Sequence, residues 1–202
     1  NFPDSVFMQD PALLGSQRSI IGRFGEVTRR GEEKALFDEL RNHPTKIGAI
    51  RFVREPSTLE GGDILVTDRG LFVGESRRSN SSGAEQLAVY LDGIEVRPVK
   101  TSLLHLLCGC SYLSKGRMII APDLVNQASF PGFEFVPISV EDAYAADALY
   151  LGDGKVLIPS GFPRVTKKLD RAGYEGIEVE MSEFKKGDGG VTCLCSPVYR
   201  LF

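Results

Sequence analysis

The chain has no tryptophan, only two histidines and four cysteines, and no apolar run near the ~18–20 residues of a membrane span. Each shortage excludes something. Lys and Arg number 24 against 27 Asp and Glu, for a net charge of −3, and the cations are scattered, so neither nucleic acid nor membrane is an expected partner. Four thiols are few for 202 residues. A chain of that length can bury a full core without disulfide staples, and free thiols suit a reduced, cytoplasmic setting. There is also no initiator methionine: the chain opens Asn1-Phe2-Pro3.

What is present is a repeat. A short acidic or glycine-bearing segment leads into an apolar strand, a turn and a second apolar strand. This recurs over residues 4–22, 60–75, 105–122, 146–161 and 188–202. The expected turns are Gly15-Ser16-Gln17, Asp68-Arg69-Gly70, Ser114-Lys115-Gly116 and Gly152-Asp153-Gly154. Helical patterns follow most hairpins, over 29–43, 81–92 and 163–173, the last bounded by Pro163 and Gly173. A third strand-like run follows in IGAIRFV, IEVRPV, EFVPI and IEVEMS. The unit is therefore ββαβ, and several copies would form a ring in one domain, 1–202, with similar strand ends at its axis. The fifth unit stops after its hairpin at Phe202, so a further module is expected upstream of Asn1.

The cysteines form two C-x-C pairs, Cys108/Cys110 and Cys193/Cys195. One-residue spacing suits neither the usual zinc motifs nor a C-x-x-C redox pair. Alternation along a strand would put both thiols of a pair on one face. Buried packing is the plain reading for Cys108, Cys110 and Cys195. Cys193 differs because Asp188-Gly189-Gly190 lets the backbone before it approach another group closely. The corresponding strand ends carry Asp10, Glu60 with Asp63, and His105. His105 lies among leucines, where a core histidine is the bland alternative, and His43 reads as a helix-end surface residue. A ring would gather one thiol, one imidazole and several carboxylates, the set for nucleophilic attack on a cationic substrate.

In their order, PDSVFMQDPAL (3–13), RRGEE (29–33), LEGGDILV (59–66), FVGESRRSN (72–80), LLHLL (103–107) and DGGVTC (188–193) make the sequence similar to the dimethylarginine dimethylaminohydrolases. These belong to the guanidine-modifying superfamily that also holds the arginine deiminases. The resemblance runs over almost the whole chain. It implies the pentein fold, a pseudo-fivefold α/β propeller of ββαβ units whose N-terminal unit is incomplete here. It implies Cys193 as nucleophile, His105 as general acid and base, and Glu60 as the carboxylate beside the guanidinium. Asp10 would grip the guanidinium nitrogens, with Gln9 adjacent. Asp4, Arg29, Arg78 and the Gly187 carbonyl would hold the amino-acid end of the substrate.

The implied reaction converts methylated arginine and water to citrulline and a methylamine through a thiouronium on Cys193. It needs no metal or cofactor, and its partner is a small guanidino amino acid. A homodimer stays open. Two positions depart from family patterns. Gln9 stands where the family usually has Glu, and it removes a negative charge. Leu107 stands where arginine deiminases carry Asp, and an apolar residue there better suits a methylated nitrogen. Arginine deimination is the second reading, and a non-catalytic pentein the third.

Overall fold

The computed structural model describes residues 2–42 and 47–200, so His43 lies outside the described residues. Four small sheets follow one plan. Strands β1 (Ala12–Gly15), β2 (Arg18–Ile21) and β3 (Ala49–Phe52) form the first, and β4 (Ile64–Thr67), β5 (Gly70–Glu75) and β6 (Val96–Lys100) the second. The third holds β7 (Cys110–Ser114), β8 (Arg117–Ile120) and β9 (Glu134–Pro137). The fourth holds β10 (Leu149–Gly152), β11 (Lys155–Pro159) and β12 (Glu175–Val179). In each, an antiparallel hairpin is followed by a crossover to a third, parallel strand.

Local chemistry explains these units. Lys115-Gly116 and Asp153-Gly154 take left-handed dihedrals, and each pair makes the two-residue turn whose twist matches its flanking strands. The crossovers carry α1 (Glu32–Asn42), α2 (Ser81–Tyr90) and α3 (Pro163–Arg171). Asn80 caps α2 by accepting from the Gly83 amide at 2.9 Å. Pro163 opens α3, and Gly173 follows its end with φ +85°. Val165 and Leu169, four apart, bury the inner face of α3 against the fourth sheet. The third unit crosses over through a 3-10 turn at Gln127–Ser129 instead of an α-helix.

Neighbouring sheets share their apolar clusters, the first with the second, the second with the third and the third with the fourth, and Ile21, Leu71, Val73, Leu113, Ile119, Val156 and Ile158 are at 0% exposure. Burying each such side chain is worth about 1.5–3 kcal/mol.

Residues 188–200 depart from the expected hairpin. They supply a 3-10 turn at Thr192–Leu194 and one strand, β13 (Val198–Tyr199). That strand pairs in parallel with β1, Leu14 opposite Val198, so the end of the chain closes onto its beginning. The closure, together with the Gly61 amide donating to the Asp10 carbonyl at 2.8 Å, draws the segments before β1, β4 and β7 and the 188–195 segment to one place.

Candidate active site

Asp10, Glu60 and His105 each stand just ahead of a unit's first strand, and all three are buried. Nε2 of His105 lies 2.8 Å from Oε2 of Glu60, and Nδ1 lies 3.8 Å from Oδ1 of Asp10. The other Glu60 oxygen accepts from the Gly25 amide at 2.9 Å. Burial alone would push the imidazole toward neutrality. The charges of Asp10, Glu60 and Asp63 and the bond to Glu60 outweigh it and hold the pKa at about 9. His105 is therefore an imidazolium at neutral pH. A Cβ on Gly62 would stand 2.8 Å from its ring, so that position admits no side chain without moving it.

Asp10 and His105 line a cavity of about 200 Å³ together with Asp4, Arg29, Arg78, Gly187, Asp188 and Cys193. Of the nine site residues named from the sequence, seven line it; Glu60 is fully buried and reaches it only through its bond to His105, and Gln9 lies elsewhere. Its neighbour Asp10 faces the cavity, whereas Gln9 accepts from the Thr192 hydroxyl at 2.9 Å and lines a separate cavity of about 480 Å³ with Leu107. The two adjacent residues sit in the turn that precedes β1 and point to different cavities. Neither departure from the family pattern therefore lines the cavity that holds the thiol.

Arg29 also differs from expectation. Its guanidinium is 4% exposed and donates to Asp10 at 2.6 Å, to Glu32 at 2.8 Å and to the Asp4 carbonyl at 3.3 Å, over the Phe24 ring. These bonds set the orientation of Asp10. Arg78 is freer: its Nη1 is buried without a hydrogen-bond partner, 3.6 Å from Glu60. Oδ1 of Asp10 is likewise buried and unpartnered. One carboxylate oxygen and one guanidinium nitrogen without a hydrogen bond, each with an opposite charge no nearer than 3.6 Å, thus belong to residues of the same cavity. A buried charge left so is costly unless a ligand completes it.

Cys193 is half-buried within the Thr192–Leu194 turn, not at a strand start. The C-x-C pairs are not strand pairs either. Cys108 ends the 3-10 turn Leu106–Cys108, half-buried and facing the catalytic cavity, while Cys110 lies buried in β7. Cys195 is half-buried just beyond its turn. Among the described residues, the one grouping of three donor side chains tight enough for a metal is Asp10, Glu60 and His105. Glu60 bonds His105, and Asp10 bonds Arg29.

Two carboxylates organise the turns. Asp63 accepts from the Leu106 amide at 2.9 Å and from the Ser76 hydroxyl at 2.7 Å. Asp147, which the sequence reading missed, accepts from the Thr192 amide at 2.8 Å, and the Cys193 thiol points at its second oxygen from 3.6 Å. The signal was present: Asp147 precedes the fourth hairpin as Asp63 precedes the second. Burial, then the charge of Asp147, push the Cys193 thiol well above its usual range. In the unliganded site it is a thiol, and a bound cation is needed to favour the thiolate.

A family model described as arginine deiminase matches residues 1–137. The chain is 39% identical to an uncharacterised protein of Aeropyrum pernix over its whole length, covering 75% of that protein. It is 38% identical to N(G),N(G)-dimethylarginine dimethylaminohydrolase of Pseudomonas aeruginosa, over 96% of this chain and 76% of the relative. A solved structure of the Pseudomonas aeruginosa enzyme, a mutant complexed with citrulline, superposes with a TM-score of 0.87 at 36% identity, covering 96% of this chain and 76% of that one. With matches of this identity and coverage around a shared α/β propeller, the chain belongs to the dimethylarginine dimethylaminohydrolase family, among the arginine deiminase relatives.

Proposed function

We propose that this protein hydrolyses the guanidinium group of methylated arginine, giving citrulline and a methylamine. The observation that carries the reading is the pair of unpartnered groups, Asp10 Oδ1 and Arg78 Nη1, in a cavity that also holds a thiol and an imidazolium. A guanidino amino acid brings a cation for the first and a carboxylate for the second.

A guanidinium is delocalised and a poor electrophile. Asp10 and Glu60 fix it by charge-assisted hydrogen bonds, each oxygen using a lone pair that its present bonds leave open. Arg78 takes the substrate carboxylate, and Asp4 and the Gly187 carbonyl face the amino group. The Cys193 thiolate attacks the guanidinium carbon. The imidazolium of His105 gives its proton to the departing amine, leaving a thiouronium on sulfur. His105, now neutral, takes a proton from water, which attacks the same carbon and releases the ureido product. Arg29 acts in this scheme by holding Asp10.

The test is direct. Dimethylarginine, monomethylarginine and arginine are each incubated with the protein, and citrulline and the released amine are measured, with Cys193→Ser as control. Methylamine release from the methylated substrates, abolished in the control, supports the reading. Ammonia from arginine, with no amine from the methylated compounds, would establish deimination, the activity named in the matching family model. No citrulline from any of them would leave a binding protein. The single domain over 1–202, the cytoplasmic setting and a homodimer complete the reading; sedimentation tests the last.

A further inference from the structure

His105 is committed before the reaction starts. Its Nε2 bonds Glu60 and its Nδ1 faces Asp10, so it already carries the proton that the leaving amine needs. It cannot also receive the proton of the Cys193 thiol. The thiol bonds elsewhere: among the described residues its hydrogen-bond acceptor is Asp147, through Oδ2 at 3.6 Å. Asp147 is fixed for this contact. It is 4% exposed, and its Oδ1 is anchored by the Thr192 amide at 2.8 Å. A Cβ on Gly190 would stand 2.0 Å from Oδ2, so the glycine is what lets backbone and carboxylate approach.

We propose that Asp147 is the proton acceptor for the nucleophile, sharing one proton with Cys193. In the unliganded protein the proton is on sulfur and the charge on Asp147. When a guanidinium enters, the S–H bond breaks and an O–H bond forms on Oδ2. The electron pair stays on sulfur, and the negative charge moves from oxygen to the atom that attacks. When the thiouronium is hydrolysed and sulfur leaves as thiolate, the proton returns from Asp147. The remaining proton of the attacking hydroxyl leaves with the free amine as an ammonium, so atoms and charge balance with no added reagent. This rests on the reading of Cys193 as nucleophile.

The surroundings are consistent with a shared proton. Burial holds the Asp147 carboxyl up at about 6, nearer neutrality than an exposed aspartate. Asp10 and Cys108 also face the sulfur and disfavour its charge, while the Gly190 amide favours it. Across the catalytic cavity stand Asp4, Arg29, Arg78, His105 and Asp188. On its other side Asp147 lines a cavity of about 410 Å³ with Tyr144, Lys185, Asp188 and Cys108. That space would admit a small carboxylic acid beside a shortened residue 147.

Two variants separate proton transfer from support of the turn. Asp147→Asn keeps an oxygen for the Thr192 amide but cannot take the proton. It should lower kcat/KM by about 10²-fold or more, with Tm near the parent value and KM little changed. Asp147→Ala should lose as much, and formate should restore part of its rate but none of the Asn variant's. A wild-type rate in Asp147→Asn overturns the proposal. So does equal loss in both variants without formate rescue, which would leave Asp147 a fastener of the turn. The broader reading fails separately: Cys193→Ser that still makes citrulline sinks the nucleophile itself.

Discussion

Asp63 and Asp147 stand at corresponding places, each just before the first strand of its unit, and each reaches into the turn of another segment. Asp63 fastens the Leu106 amide beside His105, and Asp147 fastens the Thr192 amide beside Cys193. Both are buried, and burial raises both carboxyls to about 6. They differ at the second oxygen. Asp63 spends it on the Ser76 hydroxyl, whereas Asp147 spends it on the reacting sulfur. One device thus serves two ends: at His105 the anchor holds a turn and adds its charge, and at Cys193 it also meets the sulfur proposed to react.

The largest break in this comparison is at the sulfur itself. Cys193→Ser should lower citrulline formation by at least about 10³-fold, measured in single turnovers, with the fold retained by circular dichroism. The glycines come next. Gly62→Ala would push on His105 and Gly190→Ala on Asp147. Each should reduce kcat by about 10²-fold through misplacement of a reacting group. Trapping of the thiol by iodoacetamide tells them apart: it should change in Gly190→Ala and stay near wild type in Gly62→Ala.

The pH dependence is a gentler probe. The acid form of His105 is required, so kcat/KM should fall as pH rises through about 9, and Glu60→Gln should move that limb down by about one unit. Stability should follow the same group. Its folded pKa lies above the unfolded value of 6.5, so its contribution is full below 6.5 and is lost as pH rises through about 9. The two aspartates act lower. Their pKa values rise from 3.8 to about 6 on folding, so stability should decline between those pH values. Urea midpoints should show a flatter decline in Asp63→Asn. The smallest effect belongs to Cys195→Ala, which should leave kcat unchanged and shift stability by about 1 kcal/mol or less.

Much of the fold was legible because its units are local. Alternating apolar runs around Lys115-Gly116 or Asp153-Gly154 specify a hairpin whatever surrounds them, and Pro163 and Gly173 bound a helix by backbone sterics alone. The gathering of Cys193, His105, Glu60 and Asp10 in one region was legible because their residue types are scarce or clustered at unit starts. The errors arose where long-range packing decides. The 188–202 segment has strand composition, yet pairing with β1 and anchoring on Asp147 leave it one short strand and a turn. Gln9 was grouped with Asp10 by adjacency, and the turn before β1 sends it to Thr192 instead.

By itself the sequence determined most of the ββαβ units, the balance and scatter of charge, and the inventory of one candidate nucleophile, one candidate acid and their carboxylates. These depend on side-chain chemistry and on dihedral preferences a few residues in range. Only the tertiary structure decided who touches whom. It assigned Arg29 to Asp10 and left Arg78 Nη1 without a hydrogen bond, it charged His105 by enclosing it with carboxylates, and it set Asp147 against Cys193 across 46 residues of chain. The reason is that burial sets the strength of every charge in the site, and burial exists only once the sheets have closed around it.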